Sequence, residues 1–299
     1  MLELSHVSKR FGARTVVDDV SLFVPDDTIF GFVGENGAGK TTTMKMVLGL
    51  LRADSGEIRV DGTPVCFGKS HTNRLVGYLP DVPEFYGFLT PEEYLLLCGE
   101  ISGVSNKEGK RRAEELLELV GLSQTKQRIH GFSRGMKQRL GIAQALFGNP
   151  RLLICDEPTS ALDPAGRREI LELLHSLKGR TAVLFSTHIL SDVERICDEC
   201  AMLHAGRLIK QGPLSEFRES GAKGFVVEFL GAEDAGEFAE LLPGGIRRDA
   251  LTLEYTQGRE GMQKAVELLA GKPFALRRIE QKERTLEEMF FGLVEAEEK

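Results

Sequence analysis

Residues 34–42 read Gly34-Glu35-Asn36-Gly37-Ala38-Gly39-Lys40-Thr41-Thr42, a fit to G-x-x-x-x-G-K-[ST], the pattern of a phosphate-binding loop. The flanks supply the context that this pattern needs. Before the loop, Thr28 to Val33 is an apolar run of strand length. After it, Met44, Val47, Leu48 and Leu51 recur at helical spacing. Strand, glycine-rich loop and helix in that order predict a parallel α/β core.

The residue types follow from the charge of a nucleoside triphosphate. Several negative charges are held best by a ring of backbone N–H groups at the positive end of a helix. Gly34, Gly37 and Gly39 are expected to turn with positive φ and to bring the backbone into contact with phosphates. Glu35, Asn36, Ala38 and Thr42 fall in the same ring of donors. Lys40 supplies a point charge for the terminal phosphates, and the Thr41 hydroxyl is placed to ligate Mg²⁺.

Length and composition set the frame. The 299 residues are 41% hydrophobic and 28% charged, which suits a soluble chain of one large α/β domain and a smaller one. No apolar run approaches the roughly 18 residues of a membrane span. The chain opens on the alternating Leu2, Leu4 and Val7 with no signal peptide, so a cytosolic location is expected. The net charge of −7 argues against a nucleic-acid binder working through a basic face. Residues 215–299 hold 18 acidic and 12 basic side chains, so most of that charge lies in a compositionally distinct C-terminal piece. Five cysteines are expected as free thiols. Cys197 and Cys200 form a C-x-x-C, which can bind metal or do redox chemistry. It has no second pair at zinc spacing, so it is read as structural.

Residues 2–24 read as two strands around a glycine turn. Ile58–Val60 and Val65–Phe67 read as a hairpin turning at Asp61-Gly62. Together they imply an antiparallel β layer. From about 85 to 150 the pattern is helical: Thr90-Pro91-Glu92-Glu93 is a capping box, a second helix spans about Lys107 to Val120, and a third starts after Ser133. Leu152 to Cys155 and Ala182 to Ser186 return to parallel-strand character. After Gly212-Pro213 the order β-α-β-β-α-β fits a ferredoxin-like sandwich, followed by a helix from Leu286 to Val294. The expected domains are therefore 1–214, with a helical insertion at about 85–150, and 215–299.

The second half of the site narrows the function. Leu152-Leu153-Ile154-Cys155-Asp156-Glu157-Pro158 is a buried strand ending in two carboxylates. Asp156, at the strand's end beside the phosphate loop, can hold Mg²⁺ through water, and Glu157 can orient and deprotonate an attacking water. Ser133, as an N-cap, and Gly135 make a second anion-binding helix start. Ser160-Ala161-Leu162-Asp163 and Ser186-Thr187-His188 complete a set of five ordered motifs.

Together these motifs resemble the ATP-binding cassette family over about residues 2–212. The resemblance implies a P-loop cassette fold, ATP and Mg²⁺ as ligands, and ATP hydrolysis. Phe11 then stands at the adenine-stacking position, although a phenylalanine beside Gly12 reads equally as strand packing. Asp81, after Tyr78-Leu79-Pro80, replaces the glutamine that in the family touches Mg²⁺ and the water. Arg134 and Met136 depart from the usual Leu-Ser-Gly-Gly-Gln, while Ser133 and Gly135, which would face the γ-phosphate, are kept. Asp163 is counted with the nucleotide contacts. His188 resembles the switch histidine on the γ-phosphate. With one copy of each motif and no internal repeat, the chain is expected to pair with a second cassette, as homodimer or heterodimer, enclosing two ATP.

Phe132-Ser133-Arg134-Gly135-Met136-Lys137-Gln138-Arg139, the aspartate at 81 and Thr285 to Phe290 resemble the ATPase subunits of ABC-2 type exporters. This implies a separate transmembrane permease and a peripheral position on the cytoplasmic face of the membrane. Asp81 to Gly99, with Phe85, Tyr86, Phe88 and Leu89, would receive a coupling helix of the permease; the other reading makes these aromatics core of the helical insertion. A soluble cassette ATPase acting on nucleic acid or the ribosome is the rival, disfavoured by the lack of a second cassette, a long coiled coil or a basic arm. A GTPase is disfavoured by the lack of N-K-x-D. An inactive binding module is disfavoured because Lys40, Asp156, Glu157 and His188 are all present. The transported substrate is not legible in this chain.

Overall fold

Alternating burial makes the opening strands. Leu2 and Leu4 are buried while Glu3 faces out, the period-two pattern of a sheet with one wet face, and a bulge between Leu4 and Val7 brings Val7 back to the buried face. The computed structural model describes residues 1–69, 71–219, 224–282 and 285–297, and it divides into two compact units, Met1–Pro213 and Leu214–Lys299. In the first, β1 (Leu2–Phe11) and β2 (Arg14–Val24) pair antiparallel around Gly12. Next come β3 (Ile29–Val33), α1 (Lys40–Val47) and the hairpin of β4 (Ser55–Val60) and β5 (Thr63–Pro64). Asp61-Gly62 does turn this hairpin, but its return strand is Thr63–Pro64 and not Val65–Phe67. Val65 N–H still bonds to the Ile58 carbonyl at 2.8 Å, but beyond it the chain turns away from β4: Gly68 N–H bonds to the Gly49 carbonyl at 3.0 Å, and Phe67 is exposed.

The rest of this unit is β6 (Val76–Leu79), α2 (Pro91–Ile101), α3 (Asn106–Leu119), a 3₁₀ turn at Ile129–Gly131, α4 (Arg134–Leu146), β7 (Leu152–Asp156), α5 (Pro164–Ser176), β8 (Ala182–Thr187), α6 (Leu190–Ile196), β9 (Glu199–His204) and β10 (Arg207–Pro213). Two sheets result: an antiparallel one in the order β2-β1-β4-β5, and a six-stranded one in the order β10-β9-β3-β8-β7-β6. In the latter only the edge strand β10 is antiparallel. Every residue of β3, β7 and β8 is buried, as strands covered on both faces must be. Between the sheets lies one apolar cluster that includes Leu2, Val20, Phe30, Phe32, Met44 and Ile154.

The helical insertion is set by its caps. Thr90 and Glu93 bond each other's backbone N–H in a full capping box, with Pro91 at the first helical position. Ser105 and Ser133 accept from Glu108 N–H and Met136 N–H at the starts of α3 and α4. Each cap satisfies a donor that the helix leaves free, worth about 1 kcal/mol.

The second unit contains α7 (Leu214–Glu219), β11 (Gly224–Phe229), α8 (Ala232–Leu241), β12 (Gly245–Arg247), β13 (Thr252–Tyr255), α9 (Arg259–Gly271), β14 (Leu276–Lys282) and α10 (Leu286–Glu297). Its strand order β12-β13-β11-β14 is antiparallel throughout, which is the ferredoxin-like arrangement. Aromatic packing forms its core: Phe225 stacks on Tyr255 at 4.8 Å and Phe229 meets Phe238 at 5.2 Å. The buried Tyr255 hydroxyl donates to the Leu242 carbonyl at 3.0 Å. The six-residue α7 was not foreseen; a helix this short has too few apolar positions to show a period.

On this module Glu254, only 8% exposed, accepts hydrogen bonds from Arg248 and from Lys282 Nζ. The Arg248 guanidinium and then the Lys282 ammonium hold its carboxyl down at about 2, against an ordinary 4.5. A folded-state value below the unfolded one contributes stability that is present above 4.5 and lost as pH falls toward 2. Glu254→Gln should therefore lower the Tm at neutral pH, and the gap to wild type should narrow through that window in thermal unfolding followed by circular dichroism. A gap that ignores pH would assign the effect to packing.

Candidate nucleotide site

Parallel pairing puts the ends of β3, β6, β7 and β8 on one edge of the sheet, with Val33 beside Thr187 and Asp156 beside Ser186. The loop 34–39 leaves this edge, and its first N–H, on Gly34, bonds back to the Thr187 carbonyl at 3.3 Å. Gly34 is needed for close approach and not for a positive φ, contrary to expectation: a Cβ there would sit 2.4 Å from the Leu203 carbonyl oxygen. Gly39 is needed for both reasons. Its φ is +110°, and a Cβ would lie 2.7 Å from the Val16 carbonyl oxygen. As N-cap of α1 it has no side chain to cap the helix, so the first N–H groups of α1 remain free for an anion.

The loop opens onto a cavity of about 340 Å³ lined by Arg14, Val16, Glu35, Asn36, Gly37, Gly39, Lys40, Thr41, Thr42, Asp81, Asp156 and Glu157. Lys40, 5% exposed, donates to the Gly34 carbonyl at 2.6 Å and to the Glu35 carbonyl at 3.2 Å. A buried ammonium requires such partners, and these bonds hold its charge over the loop.

Thr41 and Asp156, far apart in sequence, meet here: the Thr41 hydroxyl donates to Asp156 Oδ2 at 2.8 Å. Asp156 Oδ1 accepts from the Ser186 hydroxyl at 2.6 Å, and Ser186 Oγ in turn accepts from Glu157 N–H at 3.0 Å. Ser186 thus fixes both acidic residues, a role its position before Thr187-His188 did not reveal. Hydroxyl and carboxylate oxygens are the hard donors that suit Mg²⁺. The balance of charge also favours a cation, because Glu35, Asp81, Asp156 and Glu157 outnumber Lys40 and Arg14 around a cavity that would take a polyphosphate.

Glu157 sits at φ +47°, a left-handed conformation that costs a residue with a Cβ on the order of 1 kcal/mol. The turn lifts its carboxylate out of the strand direction and into the cavity. Oε2 lies 2.9 Å from His188 Nδ1. Oε1 lies 3.2 Å from Lys40 Nζ, but out of hydrogen-bond alignment, and this buried oxygen has no donor among the described residues. An unsatisfied carboxylate oxygen in a cavity is placed to accept a proton from water.

Asp81, expected beside the metal and the water, reaches the cavity wall, but its carboxylate accepts from Ser160 Oγ at 2.8 Å and pairs with Arg134 Nη2 at 3.3 Å. Gly34, Ala38 and His188 adjoin the cavity without lining it, and four further expected residues also lie outside the lining. Phe11 is 50% exposed with Lys9 Nζ 5.4 Å from its ring centre. Ser133 and Gly135 sit at the start of α4, and Asp163 caps α5 by accepting from Gly166 N–H at 3.3 Å. Arg14 and Val16 were missed, since nothing marks them in sequence beyond their place after the Gly12 turn. Beside the site a groove of about 530 Å³ runs along residues 81–87 and takes in Ile129, His130, Arg134 and Lys137. Tyr86 and Phe88 at this segment are exposed, while Phe85 packs edge-on against Tyr94 at 5.1 Å. The thiols of Cys197 and Cys200 are both pushed up by burial, Cys200 to about 12, which disfavours the reactive thiolate form.

A family model for the ABC transporter matches residues 17–160. An uncharacterized ABC transporter ATP-binding protein of Bacillus subtilis, YxlF, is 43% identical over 220 residues, 73% of each chain. The bacitracin transport ATP-binding protein BcrA of Bacillus licheniformis is 41% identical, over 75% of this chain and 73% of its own. Among solved structures, an ATP-binding subunit of an ABC transporter superposes with a TM-score of 0.65 at 36% identity, covering 73% of this chain and 92% of its own.

The loop's steric account is testable without any ligand. Gly34→Ala should lower the unfolding free energy by about 1–3 kcal/mol, the usual cost of overpacking. Gly148→Ala, where a Cβ would meet nothing within 4 Å, should leave the urea midpoint nearly unchanged. Equal midpoints for the two variants would remove the close-approach argument.

Proposed function

The chain belongs to the ABC transporter family as an ATP-binding subunit, and from that premise we propose that it powers an ABC-2 type exporter whose permease is a separate polypeptide. It is an ATPase, and ATP is the nucleotide of the family. The hydrolytic part of this reading rests on one observation: the buried Oε1 of Glu157, without a hydrogen bond, faces the same cavity as Lys40, Thr41 and Asp156.

In this reading residues 1–214 are the nucleotide-binding domain. The N–H groups of loop 34–39 and of the first turn of α1 take the β- and γ-phosphates, and Lys40 offsets their charge. Thr41 and Asp156 would hold Mg²⁺, which when bound neutralises charge on the transferring phosphoryl group. Glu157 accepts the proton of the attacking water, and His188, hydrogen-bonded to it, fixes the carboxylate and faces the γ-phosphate. Phe11, Ser133, Gly135 and Asp163 lie off the cavity, which supports a site completed by a second cassette: Phe11 on the adenine, Ser133 and Gly135 on the γ-phosphate of the partner's ATP. Glu157→Gln should keep ATP binding and reduce turnover by about 10²- to 10⁴-fold, and should trap a nucleotide-bound dimer. Turnover within twofold of wild type would end the assignment of Glu157.

The groove along 81–87 and the exposed rings of Tyr86 and Phe88, 6.0 Å apart, are the proposed seat of a permease coupling helix. No helix among the described residues is long and apolar enough to cross a membrane, so association would run through the permease and place the chain at the cytoplasmic face. The bacitracin transport role of the Bacillus licheniformis relative supports a transporter. Tyr86→Ala with Phe88→Ala should release the protein from membranes that carry its permease while ATP affinity stays within about twofold. Co-purification with ribosomes or DNA would favour a soluble cassette ATPase instead.

A further inference from the structure

Two other parts of the fold meet the loop after β6 at Asp81: the turn after β7, through Ser160, and α4, through Arg134 and Gln138. Ser160 Oγ donates to Asp81 Oδ1 at 2.8 Å, and Arg134 Nη2 donates both to the same oxygen at 3.3 Å and to Ser160 Oγ at 3.1 Å. Gln138, fully buried on α4, fixes the backbone of this point by donating to the Asp81 carbonyl at 2.8 Å. Ser160 is in turn one step from the hydrolytic carboxylate, since its N–H bonds to the Glu157 carbonyl at 3.0 Å. That turn is strained at both Glu157, φ +47°, and Ala161, φ +51°, so an outside tie is needed to hold it. Asp81 and Arg134 both line the groove along residues 81–87, and Asp81 also lines the nucleotide cavity.

We propose that Asp81 and Arg134 are positioning residues for ATP hydrolysis: through Ser160 they set the turn that aims Glu157, and they link that turn to the groove. This rests on Glu157 being the hydrolytic base. The arrangement gives Asp81 a role that needs no contact with metal, and it explains why an aspartate at 81 accompanies an arginine at 134. Although Asp81 lines the nucleotide cavity, its carboxylate is bonded to Ser160 and Arg134 and to no group of the loop 34–39, so the link acts on the chemical step more than on nucleotide capture. Because the Ser160 hydroxyl both donates and accepts, the two charges can exchange places around it.

The test is steady-state ATP hydrolysis together with calorimetric binding of a non-hydrolysable ATP analogue. Asp81→Ala and Ser160→Ala should each lower kcat about five- to tenfold, with KM and analogue affinity within about twofold of wild type. Asp81→Arg and Arg134→Asp alone, which put like charges together, should be worse. The double variant carrying both reversals should recover a large part of kcat. Three results would overturn the proposal: kcat unchanged in Asp81→Ala, a fall in affinity matching the fall in kcat, or a double reversal no better than the single ones. A wild-type chain that binds the analogue but does not turn over ATP would instead remove the assignment of Glu157 on which the proposal stands.

Discussion

A parallel strand buried on both faces can present a working side chain only where it ends. That constraint orders the first unit. β3, β7 and β8 are apolar up to their C-terminal ends and deliver their polar residues together at one edge: the loop from Gly34, the pair Asp156 and Glu157, and Ser186-Thr187 with His188. The register does the rest, because pairing Val33 with Thr187 and Asp156 with Ser186 brings groups more than a hundred residues apart within hydrogen-bond range. A slip of one residue would turn Asp156 into the apolar layer, where an unpaired carboxylate is very costly.

The charges at this edge depend on one another. Lys40 is nearly as buried as the core, and its ammonium is held by two loop carbonyls and by the nearby Glu157. Glu157 is held by Ser186, by His188 and by a strained backbone. The strain is offset because several short contacts over-determine the geometry, so the carboxylate keeps its aim without a hydrogen bond to Oε1. Preorganisation of this kind leaves little reorganisation for the reaction step.

Much of this was legible in sequence because the chemistry is local. Lys40 and Thr41 follow from the loop pattern, and Asp156 with Glu157 from an apolar run that stops at two acids. The capping box at Thr90 and the β-α-β-β-α-β order of the second unit were likewise readable, since caps and periods involve neighbours a few residues apart. What escaped lies in contacts between distant loops. Gly34 looked like a residue chosen for positive φ, but its reason is the carbonyl of Leu203, which sequence spacing does not reveal. Ser186 appeared as part of a tripeptide, and its bond to Asp156 crosses from one strand to the next. Val65–Phe67 had strand composition, yet after one bond from Val65 to Ile58 the chain leaves β4, and Gly68 bonds to the distant Gly49 carbonyl.

Asp81 shows how a departure from a family pattern is best interpreted. Taken alone, an aspartate in place of glutamine is shorter and charged, and suggests a weakened contact with metal and water. Beside Arg134, itself a departure at the start of α4, it becomes one half of an ion pair that closes on Ser160. Such a half-exposed pair contributes little to overall stability, about 1 kcal/mol or less. Its value lies in direction: a planar guanidinium and a carboxylate sharing one hydroxyl fix an angle as well as a distance, and the strained turn after Glu157 needs that angle.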